Sequence, residues 1–147
     1  MDTPPDRINP GAHCILFVED EVLIRMAVAD YLRDCGYRVI EAGNADEAIK
    51  VLCSNESVDV VCSDVQMPGS MDGFGLAQWI RRERAGIKIV LVSGVRRAAE
   101  AAGDLCDGGP LMRKPYGPDE LERRIRILLA SQSRRSSSAQ WQRRGFG

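Results

Sequence analysis

The 147-residue chain is long enough for one domain, and its 44% hydrophobic and 28% charged residues are typical of a globular protein rather than a disordered one. No apolar run reaches the roughly 18 residues of a membrane helix, and the N-terminus lacks the apolar segment of a secretory signal, so no membrane contact is expected. The five cysteines are widely spaced with no C-x-x-C pair, which is typical of reduced thiols in a cytoplasmic protein. The formal net charge is −1, and residues 11–130 contain 15 basic and 19 acidic residues, a balance that argues against a nucleic-acid partner.

The two ends of the chain differ in composition from the rest. Residues 1–12 contain three prolines and are expected to form a lead-in without regular structure. Residues 131–147 are rich in Ser and Arg, with four arginines and no acidic residue, which is typical of a flexible tail. The folded domain is therefore predicted to cover residues 13–130.

The first half of this domain alternates between strand and helix patterns. The continuous apolar run at 13–18 predicts a strand buried on both faces, and a second strand is expected at 37–42. A helix is predicted over about 21–35, with an apolar stripe formed by Val22, Met26, Ala29 and Leu32. Asn44 is suited to cap a second helix, whose apolar stripe comprises Ala45, Ala48, Ile49, Leu52 and Cys53.

The second half continues the same alternation. A third strand at 58–63 ends at Asp64, and a turn-rich loop over 67–73 leads into a helix at about 74–84. A fourth strand is predicted at 87–92, a short helix at about 95–102, and a fifth strand near 109–113. Pro118 and the acids beside it mark the start of the last helix, which is expected to run to about 130. Its inward-facing residues are predicted to be Leu121, Ile125, Leu128 and Leu129.

Five strand–helix pairs in strict alternation predict an α/β fold. The expected architecture is an open, doubly wound sheet of five parallel strands with helices on both faces. In such folds ligands bind beyond the carboxyl ends of the strands. The functional residues should therefore be sought where each strand ends.

Polar side chains follow four of the five predicted strands. The second strand ends in Glu41-Ala42-Gly43 and offers no obvious ligand. The residues at the other four ends are Glu19 and Asp20, Asp64, Ser93, and Lys114. Because the carboxyl ends of parallel strands share one edge of the sheet, these side chains are expected to converge there.

The predicted cluster has a specific chemical requirement. Three carboxylates in close proximity repel one another and need a cation, and hard oxygen ligands favour Mg²⁺, with Mn²⁺ as the other candidate. One ammonium group, that of Lys114, is too little to balance three acids. With a phosphoryl group on one acid, the cation, the Lys114 ammonium and the Ser93 hydroxyl each acquire a phosphoryl oxygen to contact. The cluster is therefore interpreted as a carboxylate that accepts a phosphoryl group.

These residues resemble a known family, the receiver domains of bacterial two-component response regulators, including the stand-alone, CheY-like members. The resemblance covers about 14–130 with the motifs in the correct order. It rests on Glu19-Asp20, Asp64-Val-Gln-Met-Pro68-Gly69, Ser93-Gly94 and Lys114-Pro115. It implies a flavodoxin-like fold with strand order 2-1-3-4-5.

The resemblance also implies a role for each acidic-site residue. Asp64 matches the phosphoacceptor, and Asp20 matches a direct Mg²⁺ ligand. Glu19 matches the other member of the acidic pocket, and the backbone carbonyl of Gln66 matches a further ligand. The implied metal set is therefore Glu19, Asp20, Asp64 and Gln66.

Two more residues take their expected roles from the resemblance. Ser93 matches the switch hydroxyl and Lys114 the phosphate-binding lysine, with a cis peptide bond between Lys114 and Pro115. Leu111 occupies a position where many relatives have a switch Tyr or Phe. We therefore expect that movement of the Ser93 hydroxyl is not relayed by an aromatic flip.

Two smaller departures from the family pattern concern the site. The acidic pair is Glu19-Asp20, a tolerated variant that is expected to alter the metal geometry slightly. The loop over residues 69–73 is one residue longer than usual, which should reshape the rim of the site and leave Asp64 in place.

Three other functions would place different demands on the same residues. A flavin-binding module needs a phosphate-binding loop after the first strand, where Glu19, Asp20 and Glu21 would repel a phosphate. A phosphohydrolase with an aspartyl-phosphate intermediate uses a second Asp two residues after the first, and here that residue is Gln66. A phosphorylation-independent pseudo-receiver that acts as a docking scaffold remains the alternative.

The sequence is therefore interpreted as a single-domain response regulator. It is expected to accept a phosphoryl group onto Asp64 from a histidine kinase or histidine phosphotransfer protein. We expect a signalling switch rather than an enzyme, although the domain assists its own phosphorylation and dephosphorylation. Its output is expected to be contact with an unidentified downstream protein.

Overall fold

The computed structural model describes residues 8–94 and 112–144, with side chains described as far as residue 131. The strands are β1 (Cys14–Val18), β2 (Arg38–Ala42), β3 (Val60–Asp64), β4 (Lys88–Ser93) and β5 (Met112–Arg113). The helices are α1 (Val22–Asp34), α2 (Ala45–Leu52), α3 (Gly73–Glu83) and α4 (Pro118–Arg144), preceded by a 3₁₀-helix at Pro10–Ala12. The predicted helix at 95–102, Leu111 and the first part of the predicted fifth strand lie outside the described residues.

The five strands form one parallel sheet in the order β2-β1-β3-β4-β5. Every residue of β1 and β3 is buried, which follows from their continuous apolar runs and from the helices that cover both faces. The predicted fold class and strand order are confirmed.

The sheet separates two hydrophobic clusters because neighbouring side chains on a strand point to opposite faces. Leu16 and Val18 lie in the first cluster with the buried residues of α2 and α3. Ile15 and Phe17 lie in the second cluster with those of α1 and α4. All four predicted inward residues of α4 belong to this second cluster: Leu121, Ile125, Leu128 and Leu129.

The predicted apolar stripe of α1 is wrong in its first turns. Val22 is 52% exposed and Met26 is 50% exposed, whereas Val28 is buried together with Ala29 and Leu32. The helix begins beside the carboxyl edge of the sheet, and its fully buried residues appear only from the second turn onward. Cys53 is also exposed, because it follows the last turn of α2 instead of lying on its inner face.

The two chain ends contain more helix than predicted. In the lead-in, Asn9 accepts a hydrogen bond from the Gly11 amide at 3.2 Å and begins the 3₁₀-helix. At the other end, α4 continues to Arg144 instead of ending near residue 130. Residues 119–144 contain no Gly or Pro, so none of them interrupts the helix. Neither α4 nor any other helix in the described ranges is long and apolar enough to cross a membrane.

The predicted cap of α2 is confirmed and provides a stability test. The Asn44 side chain accepts a hydrogen bond from the Glu47 amide at 2.8 Å, which satisfies an amide that the first turn of the helix leaves without a partner. We expect Asn44→Ala to lower the free energy of unfolding by about 1 kcal/mol in urea denaturation. Asn44→Asp retains an acceptor and should stay close to the wild type, so equal losses in the two variants would contradict this explanation.

Candidate functional site

The five predicted edge residues meet at the carboxyl edge of the sheet. Glu19 and Asp20 follow β1, and Lys114 directly follows β5. Asp64 and Ser93 are the last residues of β3 and β4 instead of the residues after them. The strands are in register and parallel, so their ends bring together residues that are up to 95 positions apart in the chain.

The three carboxylates form a compact cluster. One oxygen from each of Glu19, Asp20 and Asp64 lies within 4.8 Å of the other two. Glu19 is 2% exposed and Asp64 is 7% exposed, whereas Asp20 is exposed at the mouth of the cluster. Hard carboxylate oxygens with an open, solvent-facing side fit Mg²⁺, which binds through one or two carboxylates and retains waters. The donor set therefore fits the predicted divalent cation.

Lys114 brings a positive charge to this cluster. Its Nζ lies 2.5 Å from Oδ2 of Asp64 and 3.8 Å from Oε2 of Glu19. Partial burial acts to lower the pKa of Lys114, but the hydrogen bond and charge of Asp64, with the charge of Glu19, outweigh it and raise that pKa. Lys114 therefore remains an ammonium group at neutral pH.

Glu19 is the acid whose ionisation the site perturbs most clearly. Burial raises the pKa of Glu19 to about 7, and the Asp64 charge adds to this effect while Lys114 opposes it. A bound proton on Glu19 near neutral pH reduces the repulsion within the metal-free cluster. A divalent cation would replace that proton.

The Asp64 carboxylate is oriented through both of its oxygens. Oδ1 accepts a hydrogen bond from the Gln66 amide at 3.0 Å, while Oδ2 faces Lys114. The contact between Gln66 and Asp64 is made by the main-chain amide of Gln66. The role of the main-chain carbonyl of Gln66 as a metal ligand therefore stays a prediction. Asp64 is therefore held in one orientation at the end of β3.

Ser93 joins the ends of β4 and β5. It is 1% exposed, and its carbonyl accepts a hydrogen bond from the Lys114 amide at 3.0 Å. The peptide bond between Lys114 and Pro115 is cis, as predicted. This main-chain link couples the position of Lys114 to that of Ser93, while the role of the Ser93 hydroxyl stays a prediction.

Gly73 is a site-supporting residue that the sequence did not reveal. It is the first residue of α3, it is buried, and its amide donates to the Val65 carbonyl at 2.8 Å. A Cβ at this position would lie 2.7 Å from Cα of Val65 and 2.9 Å from the carbonyl carbon of Asp64. Nothing in a single sequence distinguishes Gly73 from Gly69, the loop glycine with a φ of 107°.

Comparisons with known proteins agree with this geometry. The family described as "Response regulator receiver domain" matches residues 15–126. The protein named "Probable transcriptional regulator ycf27" from Cyanidium caldarium is 35% identical over 122 residues, which are 82% of this chain and 48% of that protein. "Transcriptional regulatory protein ResD" from Bacillus subtilis is 35% identical over 123 residues, or 83% of this chain and 50% of that protein. The chain thus spans about half the length of these relatives.

Solved structures show the same similarity. A CheY-like receiver domain protein from Methanospirillum hungatei superimposes with a TM-score of 0.76 at 25% identity, covering 84% of this chain and 98% of that one. The response regulator TrrA from Thermotoga maritima, solved in complex with Mg²⁺ and BeF, gives a TM-score of 0.71 at 29% identity, covering 79% and 98%. With its sheet order, its acidic edge and these matches, the chain belongs to the response regulator receiver domain family.

Proposed function

We propose that this receiver domain accepts a phosphoryl group onto Asp64 from the phosphohistidine of a histidine kinase or phosphotransfer protein. The observation that carries the proposal is the environment of Asp64. Its carboxylate lies between the Gln66 amide and the Lys114 ammonium and beside two further acids, Glu19 and Asp20.

In the proposed transfer, an oxygen of the Asp64 carboxylate forms a bond to phosphorus while the phosphorus–nitrogen bond of phosphohistidine breaks. The electron pair of the broken bond returns to the imidazole nitrogen. Lys114 pairs with a phosphoryl oxygen as the negative charge shifts toward Asp64, and the Ser93 hydroxyl donates to another. These residues orient the acceptor and compensate its charge.

The residues proposed to hold the cation are Glu19, Asp20, Asp64 and the carbonyl of Gln66. When bound, Mg²⁺ or Mn²⁺ supplies positive charge that neutralises the phosphoryl oxygens. The exposed position of Asp20 leaves the cluster open to solvent on the side from which a phosphodonor would approach.

The proposal describes a cytoplasmic switch rather than an enzyme with a separate substrate. The family match at 15–126 supports residues 13–130 as the receiver unit, with 1–12 as lead-in and 131–147 as tail. Phosphorylation of Asp64 would bias the segment around Ser93 between two states and so change a surface for a downstream protein. The acidic balance of residues 11–130 supports a protein target rather than a nucleic acid.

Phosphoryl uptake can be measured directly. The full chain is incubated with Mg²⁺ and acetyl phosphate, and its intact mass is recorded before and after base treatment. One base-labile phosphoryl adduct supports the proposal. If a cognate kinase also fails to produce an adduct while Mg²⁺ binding is intact, the docking-scaffold function is favoured instead.

Lys114→Ala should separate uptake from response. We expect the adduct still to form, because Asp64 and the acidic cluster remain, but the main chain near β5 should no longer respond to it. The measurement is amide hydrogen exchange in residues 112–121 with and without acetyl phosphate. Exchange should change severalfold on phosphorylation in the wild type and in the control Lys88→Ala, at the other end of β4. An equal change in Lys114→Ala would show that the lysine is not the coupling group.

A further inference from the structure

Arg25, on α1, contacts the main chain of the acidic site at Glu19. Its Nη1 donates a hydrogen bond to the main-chain carbonyl of Glu19 at 2.9 Å. Its side chain is largely buried and lies against Gly43, where an added Cβ would be only 3.3 Å from Nη1. Arg25 is thus packed between the chain that leaves β1 and the chain that leaves β2.

Glu41 fixes the other side of this guanidinium. Nε of Arg25 lies 3.4 Å from Oε1 of Glu41, close enough for an ion pair, although Nε has no aligned hydrogen-bond acceptor. The second oxygen of Glu41, Oε2, lies 3.1 Å from Nη1 of Arg33. Glu41 lies near the end of β2, the strand that offers no obvious ligand, and it therefore orients Arg25, which contacts the site.

The hydrogen bond from Arg25 to the Glu19 carbonyl is well placed to orient Asp20. The Glu19 amide donates to the Ala42 carbonyl at 3.0 Å, so β2 restrains the main chain before Glu19. Arg25 restrains the carbonyl after it. Because the peptide group is planar, fixing this carbonyl also fixes the direction of the Asp20 amide and of the Cα that follows. This is the point where the chain leaves the sheet and has no further strand partner to guide it.

Arg25 is unlike Lys114 in how it can act on the cluster. The guanidinium contacts a main-chain carbonyl and an acid of β2, whereas Lys114 contacts the carboxylates of the site themselves. Glu41 balances part of the Arg25 charge, since its other oxygen pairs with Arg33. The effect of Arg25 on the site is to fix geometry rather than to neutralise carboxylate charge.

We infer that Arg25, oriented by Glu41, is a positioning residue for the divalent-cation site and acts by fixing the Glu19–Asp20 main chain. The inference rests on the proposed function, because it assigns the cation to these acids. Partners that orient metal ligands commonly contribute tenfold or more to metal affinity. Loss of the Arg25 contact should therefore weaken the site without changing a ligand.

The test is the substitution Arg25→Met, which keeps an unbranched apolar stem and removes the guanidinium with its donors. Isothermal titration of the full chain with Mg²⁺ should give a Kd about tenfold higher than that of the wild type. In the metal-free protein, the Glu19 amide, which donates to the Ala42 carbonyl, should exchange with solvent severalfold faster. Glu41→Gln should shift both quantities in the same direction by a smaller factor.

Arg38→Met is the matched control. Arg38 forms a comparable ion pair with Glu56 at 3.3 Å, but it does so on the exposed side of the opposite end of β2. This variant should bind Mg²⁺ as the wild type does. If Arg25→Met lowers thermal stability and leaves both the Mg²⁺ Kd and the exchange of the Glu19 amide unchanged, Arg25 is merely structural and the inference is wrong. If the wild type itself binds no Mg²⁺ at this site, the proposed cation site fails instead.

Discussion

Asp64→Asn should abolish the phosphoryl adduct entirely. The amide of Asn is a far poorer nucleophile than a carboxylate, while its similar shape retains the hydrogen bond from Gln66 and the position at the end of β3. Intact mass after incubation with Mg²⁺ and acetyl phosphate should show only unmodified protein. This is the largest functional effect that we expect from a single substitution.

A matched control separates this effect from a general loss of acidic charge. Asp72 caps α3 through the Gly75 amide at 2.9 Å, and Asn is an equally good cap, so Asp72→Asn removes the same charge without disturbing the fold. It should be phosphorylated as the wild type is. An adduct of wild-type yield on Asp64→Asn would refute the assignment of Asp64 as acceptor.

Gly73→Ala should cause the largest loss of stability. The added Cβ would clash with the main chain of Asp64 and Val65, and main-chain atoms of a central strand cannot turn aside as a flexible side chain can. We expect the free energy of unfolding to fall by about 3 kcal/mol in urea denaturation. Because the clash falls on the Asp64 main chain, phosphoryl uptake by the remaining folded protein should also slow.

Gly86→Ala provides the comparison for this substitution. A Cβ at Gly86 would have no heavy atom within 4 Å, and its φ does not require glycine. The variant should be as stable as the wild type or more stable by up to about 1 kcal/mol, because alanine restricts the unfolded chain. Equal destabilisation at both glycines would mean that close packing against β3 is not the cause.

The fold and the convergence of the site residues are predictable from sequence for one reason. The runs at 13–18 and 58–63 are apolar without interruption, which is typical of strands covered on both faces. Once the strands are parallel, the residues at their carboxyl ends share one edge, whatever their separation in sequence. Asp64 and Lys114 therefore come together without any need to know how their side chains pack.

What the sequence does not predict depends on tertiary contacts. Arg25 and Glu41 look like ordinary surface charges until α1 and the end of β2 are placed side by side. The need for glycine at position 73 depends on how closely α3 approaches β3. Val22 and Met26 have the spacing of an inner stripe, but the helix lies beyond the strands at that point. Periodicity alone does not report what covers a helix.

The division of the interior by the sheet also determines how substitutions combine. Ile80 on α3 and Ile125 on α4 are both fully buried, yet they belong to clusters on opposite faces of the strands. Residues that share no neighbour usually contribute to stability additively. The helices on one face can therefore be repacked without altering the hydrophobic cluster on the other face. Both clusters contain residues of the strands, so a substitution in one cluster can affect the stability effect of a substitution in the other only through the strands.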